Sequence, residues 1–463
     1  MNEENNPLWQ RPSRVIDCSC GRTHRVEIER IDNGSGAIHN LPRLLTEVVG
    51  TPQTEVNRAG PIYLVSDRNT DEAAGREVER LLKRAGFEVI PILLEENPGK
   101  EKISPTPARL YQILEPLREP GFILGCGAGT ISDLVKFAAD RANLKSGMVA
   151  TAPSMDGYSS GVASLVVDGV KKTLPAGPHS LIVADSQILS QAPKSLIRAG
   201  LGDILGKVTS LLDWHLRRII WGDYYCHKAE ELIMEPLQNL LDGEEGSSPD
   251  ESGSRELRNL SRGLINSGLA ILLAGGSEPA SGSEHHISHY LEMLGLRDGI
   301  STPLHGHKVG LGTYFSSNFY LKLYERLEEL NFPLKIEDDR EDRSERIEYA
   351  YGKRKGPVLA TLEERWPREK SFEISAEQAE RLAEKIEEFL PLLQSAQKFL
   401  ERSSFLKAPE VKKLQTDQLR RAALYGFEIR NRYTVAVLFY QLGWLEEMVE
   451  ECIGDLMQKH RGG

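Results

Sequence analysis

The chain has 463 residues, more than one ordinary hydrophobic core accommodates, so two domains are expected. Apolar residues make up 40% and charged residues 27%, the composition of a soluble globular protein. The net charge is −11, with both signs spread along the chain, which argues against nucleic acid or an anionic membrane surface as the main partner.

The polar start, MNEENNPLWQRPSR, lacks the apolar stretch of a signal peptide, and no apolar run reaches the roughly 18 residues of a membrane span. The five cysteines are sparse and odd in number, which fits reduced thiols in a cytosol rather than a disulfide framework. A cytoplasmic location is the expectation. Cys18-Ser-Cys20 followed by His24 has the residue types of a small metal site. The gap is one residue rather than the usual two, and no second Cys/His pair follows nearby. These residues read as structural or incidental.

In chain order, VIDCSCG and RTHRVEIE predict a hairpin, and LPRLLTEVVG a helix. From 61 to about 195 strands and helices alternate. IYLVSD is a buried strand ending in Asp67, DEAAGREVERLLKRAG an amphipathic helix closed by Gly86, and FEVIPILL the next strand. GFILGCGAG runs from strand into glycine loop, and TISDLVKFAADRAN is the helix that follows. GMVATAP, ASLVVDG and SLIVADSQIL supply further strands. Such alternation predicts a largely parallel, doubly wound sheet. From KSLIRAGLGDILGKVTSLLDWHLRRII onward the pattern is helical. The fold class is therefore an α/β N-terminal domain with a parallel nucleotide-binding sheet (residues 1–195) plus an all-α C-terminal domain (residues 196–463). The polar insertions 241–257 and 335–357 read as exposed loops or solvated helix ends.

Glycines in Gly125-Cys126-Gly127-Ala128-Gly129-Thr130-Ile131 let backbone pass close to a phosphate, and the following helix offers free N–H groups. A lone glycine loop equally serves a plain strand–helix turn. In the usual dinucleotide fingerprint the ribose-binding acid lies about 20 residues after the glycines. Here the best candidate, Asp67, precedes them, and such a carboxylate favours NAD over NADP. The hydroxyl-rich loop 151–160 follows a strand, where parallel sheets bind ligands.

Three segments carry metal-ligand chemistry. Asp203 and Lys207 lie four apart on one helix face, as do His285 and His289 in EHHISH, and His305 and His307 sit on a turn. Five of the 11 histidines fall within 285–307. An Asp with two imidazoles is a sensible set for a catalytic divalent metal with one position open.

With GAGTISD, TAPSMDGYSS, GLGDILGK, SGSEHHISH and LHGHKVG in order, the sequence resembles the iron-containing alcohol dehydrogenase / dehydroquinate synthase superfamily. Within it, the sequence is most similar to the bacterial branch of the sn-glycerol-1-phosphate dehydrogenases. The likeness runs over most of residues 15–450.

The resemblance implies that Asp67, Gly127, Ala128, Gly129, Thr130, Ile131, Thr151, Ala152, Pro153, Ser154 and Ser160 contact NAD(H), with NADP(H) as the alternative. It implies that Asp156 binds substrate and that Asp203, His285 and His305 hold one divalent metal, zinc or nickel before iron. Asp203 and His289 would also lie close to substrate, with His289 on the proton path and Lys207 part of the catalytic set. The implied reaction is reduction of a phosphorylated triose, dihydroxyacetone phosphate, to sn-glycerol 1-phosphate. Lys207, Lys171 and Lys172 are candidate phosphate-binding cations. No nucleic acid or membrane partner is implied, and a homodimer is compatible.

Two departures stand out: His307 occupies a position where relatives usually carry another residue, and His286 should point away from the ligand face. A dehydrogenase of unphosphorylated polyols shares fold, metal and cofactor. A dehydroquinate-synthase-like cyclase differs in chemistry but typically has glutamate where this chain has Asp203. A non-enzymatic NAD-binding regulator would be expected to have lost the ligands, and they are present.

Overall fold

The computed structural model describes residues 15–51, 60–95, 103–167, 170–242, 255–298, 300, 302–403 and 405–461. The chain forms two compact units, one of residues 1–200 and 228–276, the other of 201–227 and 277–463. Most of the insertion 241–257 lies outside the described residues.

The first unit opens with an antiparallel hairpin, β1 (Val15–Asp17) and β2 (Thr23–Arg25). Its centre is a six-stranded sheet. The strands are β3 (Arg30–Gly34), β4 (Ile62–Asp67), β5 (Val89–Leu94), β6 (Phe122–Gly127), β7 (Lys145–Ala150) and β10 (Leu181–Asp185), between which β8 (Val162–Val167) and β9 (Val170–Pro175) intervene. The spatial order is β3-β10-β7-β6-β4-β5, and every neighbouring pair is parallel.

Strands covered on both faces read as continuous apolar runs, which is why IYLV and FIL carry no alternation. One face packs Ile62, Leu64, Leu124, Val149 and Val183 against Leu41, Leu44 and Leu45 of α1 (Leu41–Val49). After the short α2 (Arg68–Thr70), α3 (Arg76–Arg84) adds Val78 and Leu82 to the same core. The opposite face receives α4 (Pro107–Leu114) and α5 (Gly129–Ala142). ASLVVDG, expected among the sheet strands, does not join them. As β8 it pairs antiparallel with β9 and lies on α5 and α4. The connection from β8 to β9 is too short for a parallel crossover, so a hairpin is the pairing within reach.

After α6 (Ser186–Leu189), α7 (Lys194–Trp221) is a 28-residue helix running into the second unit. Helices α8 (His227–Leu241) and α9 (Arg255–Ala274) follow. In the second unit α10 (Ser283–Asp298) and α11 (His305–Arg326) pack along each other. Gly206 of α7 faces Val309 of α11 and Glu284 of α10. A Cβ there would lie 2.7 Å from Val309 Cγ1, so glycine sets how closely these helices approach. No helix among the described residues is long and apolar enough to cross a membrane.

The second unit departs from the all-helical expectation in one hairpin, β11 (Leu334–Glu337) with β12 (Ser371–Ile374). The insertion 335–357 forms regular structure rather than loop, and most of its charged side chains are exposed, as expected. It supplies β11, the helix Arg340–Tyr351 and the start of the helix Lys355–Glu369. Arg343 within it is fully buried, held by Asp338, Glu369 and Glu428. Charge density suggested solvent, and at this one position it misled: the Arg343 guanidinium is buried among three acids, with Arg365 also on Glu428.

Candidate metal centre and nucleotide loop

In the second unit, one donor atom each from Asp203, His285 and His305 lies within 4.8 Å of the other two. Asp203 comes from the buried middle of α7, His285 from the first turn of α10, and His305 opens α11. His285 Nε2 stands 3.5 Å from Asp203 Oδ1, and the His285 and His305 rings are 5.2 Å apart, centroid to centroid.

Each imidazole is held by a carboxylate at its other nitrogen. His285 Nδ1 meets Glu284 Oε1 at 2.7 Å, and His305 Nδ1 meets Glu292 Oε1 at 2.9 Å. Glu284 is itself fixed by donation from Gly282 N and Thr209 Oγ1. A carboxylate on Nδ1 fixes ring orientation and leaves Nε2 to face a cation, the usual support of a metal-bound histidine. The donor set and its supports therefore fit a divalent metal.

Lys207 Nζ donates to Asp203 Oδ1 at 3.0 Å and to the Ala280 carbonyl at 2.9 Å, and neither side chain is exposed to solvent. Burial alone would raise the Asp203 carboxyl. The charge of Lys207, with the hydrogen bond and charge of His285, outweighs it and holds Asp203 well below the usual carboxylate range. Lys207 thus stands as the counter-ion of Asp203, with its ammonium committed.

His289 sits one turn after His285, its ring 5.9 Å from that of His305. Burial, then the charge of Arg430, pushes its pKa well below the ordinary imidazole value, so it is neutral near pH 7. A second group of donors, His289, Glu292 and His305, also lies within 4.8 Å. Glu292 already serves His305 Nδ1 and stands 3.4 Å from Lys308 Nζ, which makes it an anchor for His305 rather than a ligand. His307 is fully buried against Phe405 and His286 is likewise buried; neither belongs to either donor group.

Glu284 and Glu292 were not singled out in the sequence. Glu292 carried a signal: positions 285, 289 and 292 share one helical face.

In the first unit the strand order reverses between β4 and β6, the place where open parallel sheets bind ligands beyond their strand ends. Asp67 ends β4 and Gly127 ends β6. Gly127 lies directly under Ile131, where a Cβ would come within 2.5 Å of Ile131 Cγ1. This close packing brings Ala128, Gly129 and Thr130 into the turn that starts α5. Asp67 Oδ1 accepts from Thr70 N at 2.8 Å, capping α2, which fixes the direction of the carboxylate.

The stretch Thr151–Ser154 leaves β7 buried, with Thr151 N donating to the Gly127 carbonyl at 2.9 Å. Lys136, also missed in the sequence, organises the rest of this loop. Its fully buried ammonium donates to the carbonyls of Gly157 and Val162, each at 2.6 Å, and to Ser160 Oγ at 3.2 Å. Asp156 Oδ2 accepts from Ser267 Oγ at 2.8 Å. Lys172 is exposed on β9, and the side chain of Lys171 lies outside the described residues.

The family model for iron-containing alcohol dehydrogenases matches residues 33–193. Among curated proteins, a glycerol-1-phosphate dehydrogenase [NAD(P)+] of Halalkalibacterium halodurans is 36% identical over 68% of this chain and 77% of its own length. The Saccharolobus islandicus protein of the same name is 33% identical over 62% and 79%. Among solved structures, an iron-containing alcohol dehydrogenase from Corynebacterium glutamicum aligns over 95% of this chain and 97% of its own, at 14% identity and a TM-score of 0.57. A probable glycerol dehydrogenase from Sinorhizobium meliloti aligns over 92% and 97%, at 15% identity and a TM-score of 0.55. These two likenesses speak to fold. Joined to the relatives' sequence identity and the matched family model, they make this chain a member of the glycerol-1-phosphate dehydrogenase family of iron-containing alcohol dehydrogenases.

Proposed function

We infer that the chain catalyses NAD(P)H-dependent reduction of dihydroxyacetone phosphate to sn-glycerol 1-phosphate, assisted by a divalent metal. The observation that carries this is the converging Asp203–His285–His305 donor set in a chain 36% identical to a glycerol-1-phosphate dehydrogenase over 77% of that relative. The nicotinamide supplies hydride, and a metal held by these three side chains supplies Lewis-acid polarisation of the ketone and charge stabilisation of the nascent alkoxide.

The remaining work falls to the protein. Lys207 keeps Asp203 ionised, while Glu284 and Glu292 hold the two ligand imidazoles with Nε2 presented. His289, neutral and adjacent to both ligand rings, is placed to relay a proton to the substrate oxygen, taking one up from water as it releases one. For the cofactor, the turn Gly127–Ile131 and the free N–H groups starting α5 suit the pyrophosphate. Asp67 suits the ribose diol, and Thr151–Ser154 with Ser160 would line the same site. Asp156, fixed by Ser267, is the proposed substrate contact in the first unit. The Asp/His/His set suits zinc, nickel or iron(II), and we favour zinc or nickel.

The test is NADH oxidation with dihydroxyacetone phosphate and, separately, dihydroxyacetone, before and after chelation. Activity should require the phosphorylated ketone, vanish with chelator and return with added metal. No activity with any restored metal overturns the reading. Equal turnover of the unphosphorylated ketone replaces it with a polyol dehydrogenase.

A further inference from the structure

The hairpin β1–β2 at the start of the first unit gathers a second set of metal-binding side chains. Its strands are three residues each, a length that is marginal in water without added support. Ile16 pairs with His24 across the hairpin. The connection is tight: Gly21 N donates to the Cys18 carbonyl at 3.0 Å, Cys18 N donates to the Arg22 carbonyl at 3.1 Å, and Gly21 takes a φ of +83°. This turn curls Cys18-Ser-Cys20 back towards β2. Cys20 Sγ comes to 3.2 Å from His24 Nε2, and one donor atom from each of Cys18, Cys20 and His24 lies within 4.8 Å of the other two. His24 is 4% exposed.

We propose that Cys18, Cys20 and His24 bind a structural zinc ion that staples this hairpin, separate from the Asp203–His285–His305 centre. Thiolate and imidazole together select a borderline-soft ion over magnesium or calcium. Zinc bonds of about 2.3 Å to sulfur and about 2.0 Å to nitrogen set tetrahedral donors roughly 3.5–3.8 Å apart. The 3.2 Å contact and the 4.8 Å limit bracket that spacing, so small side-chain adjustments admit the ion. Binding deprotonates both thiols, and the two protons pass to solvent. The left-handed Gly21 lies between the two cysteines and His24, where it turns the chain back towards β2.

The site is tested by loading the metal-free full-length chain with cobalt(II) and recording its absorption. Sulfur-to-cobalt charge transfer gives a near-ultraviolet band that an Asp/His/His site, having no sulfur, cannot produce. The band is expected in the unaltered chain, in Asp203→Ala, and in Cys126→Ser and Cys452→Ser. It should disappear in Cys18→Ser and in Cys20→Ser. Zinc analysis after dialysis should find a single ion retained by Asp203→Ala and none when Cys20→Ser is added. No band in the unaltered chain overturns the proposal, even if a variant fails to fold. So does a band that survives both Cys18→Ser and Cys20→Ser.

Discussion

Glu292 Oε1 lies 2.9 Å from His305 Nδ1 and 3.4 Å from Lys308 Nζ, so the ring that opens α11 is oriented by a carboxylate on α10. Glu292→Ala removes that orientation without touching a ligand atom. Loss of such a support typically costs about 10–100-fold in metal affinity. The metal dissociation constant, measured by chelator competition, should rise by that factor, with circular dichroism unchanged. An unaltered constant would mean that packing alone positions His305.

Gly127 and Ile131 leave no room for another atom between them. Gly127→Ala places a Cβ 2.5 Å from Ile131 Cγ1, and a β-branched side chain held in a helix cannot swing clear. The helix start must shift, which costs about 1–3 kcal/mol of stability by the usual penalty for overpacking. If the proposed cofactor turn is right, NADH affinity falls too. Adding Ile131→Ala should not restore stability, because the Cβ that alanine keeps lies 2.7 Å from the new atom. A single substitution that leaves melting temperature and NADH binding unchanged contradicts the packing described.

Much of the first unit was legible because parallel strands buried on both faces write themselves as short apolar runs, as in Ile62–Val65 and Phe122–Leu124. The glycine loop and the histidine cluster were legible because few other roles use those residues at that spacing. What escaped was of two kinds. Long-range partners such as Lys136 on the 157–162 loop have no local sequence signature, since a lysine in a helix is ordinarily solvated. Patterns weighed by composition also miss single buried charges, and 335–357 is the case in point. Most of its charged side chains are exposed, but Arg343 is buried, which only its pairing with Glu428, 85 residues away, reveals.

Arg343 bridges three acids: Asp338 at 2.7 Å, Glu369 at 3.0 Å, and both oxygens of Glu428 at 3.0 and 2.9 Å. Arg365 also pairs with Glu428 but is too few charges to balance all three. Arg343→Met fills the volume and leaves buried carboxylates uncompensated. Breaking such a pair costs about 3–5 kcal/mol. Arg343→Lys keeps the charge but loses the two-pronged contact with Glu428, so it should fall between. Denaturant unfolding reads both. A methionine variant as stable as the parent would show that the cluster contributes no net stability.

Asp213 of α7 gives a pH signature. Its Oδ1 accepts from Tyr320 OH and Val435 N, and its Oδ2 from Ser283 N. Burial, then the nearby Glu284 charge, outweighs these bonds and raises its carboxyl to about 7. The unfolded carboxyl titrates near its ordinary value of about 3.9. Between those two values the native state carries a proton that the unfolded state has lost. Stability from this group is therefore fully present below about pH 4 and drains away as pH rises through about 7, at no more than about 1.4 kcal/mol per pH unit. Asp213→Asn cannot titrate, so its stability should fall less than that of the parent over this window. The comparison is best made on the metal-free chain, where metal binding does not add its own pH dependence. Parallel pH–stability curves for parent and variant would show that Asp213 stays ionised throughout, its hydrogen bonds to Tyr320, Ser283 and Val435 outweighing burial.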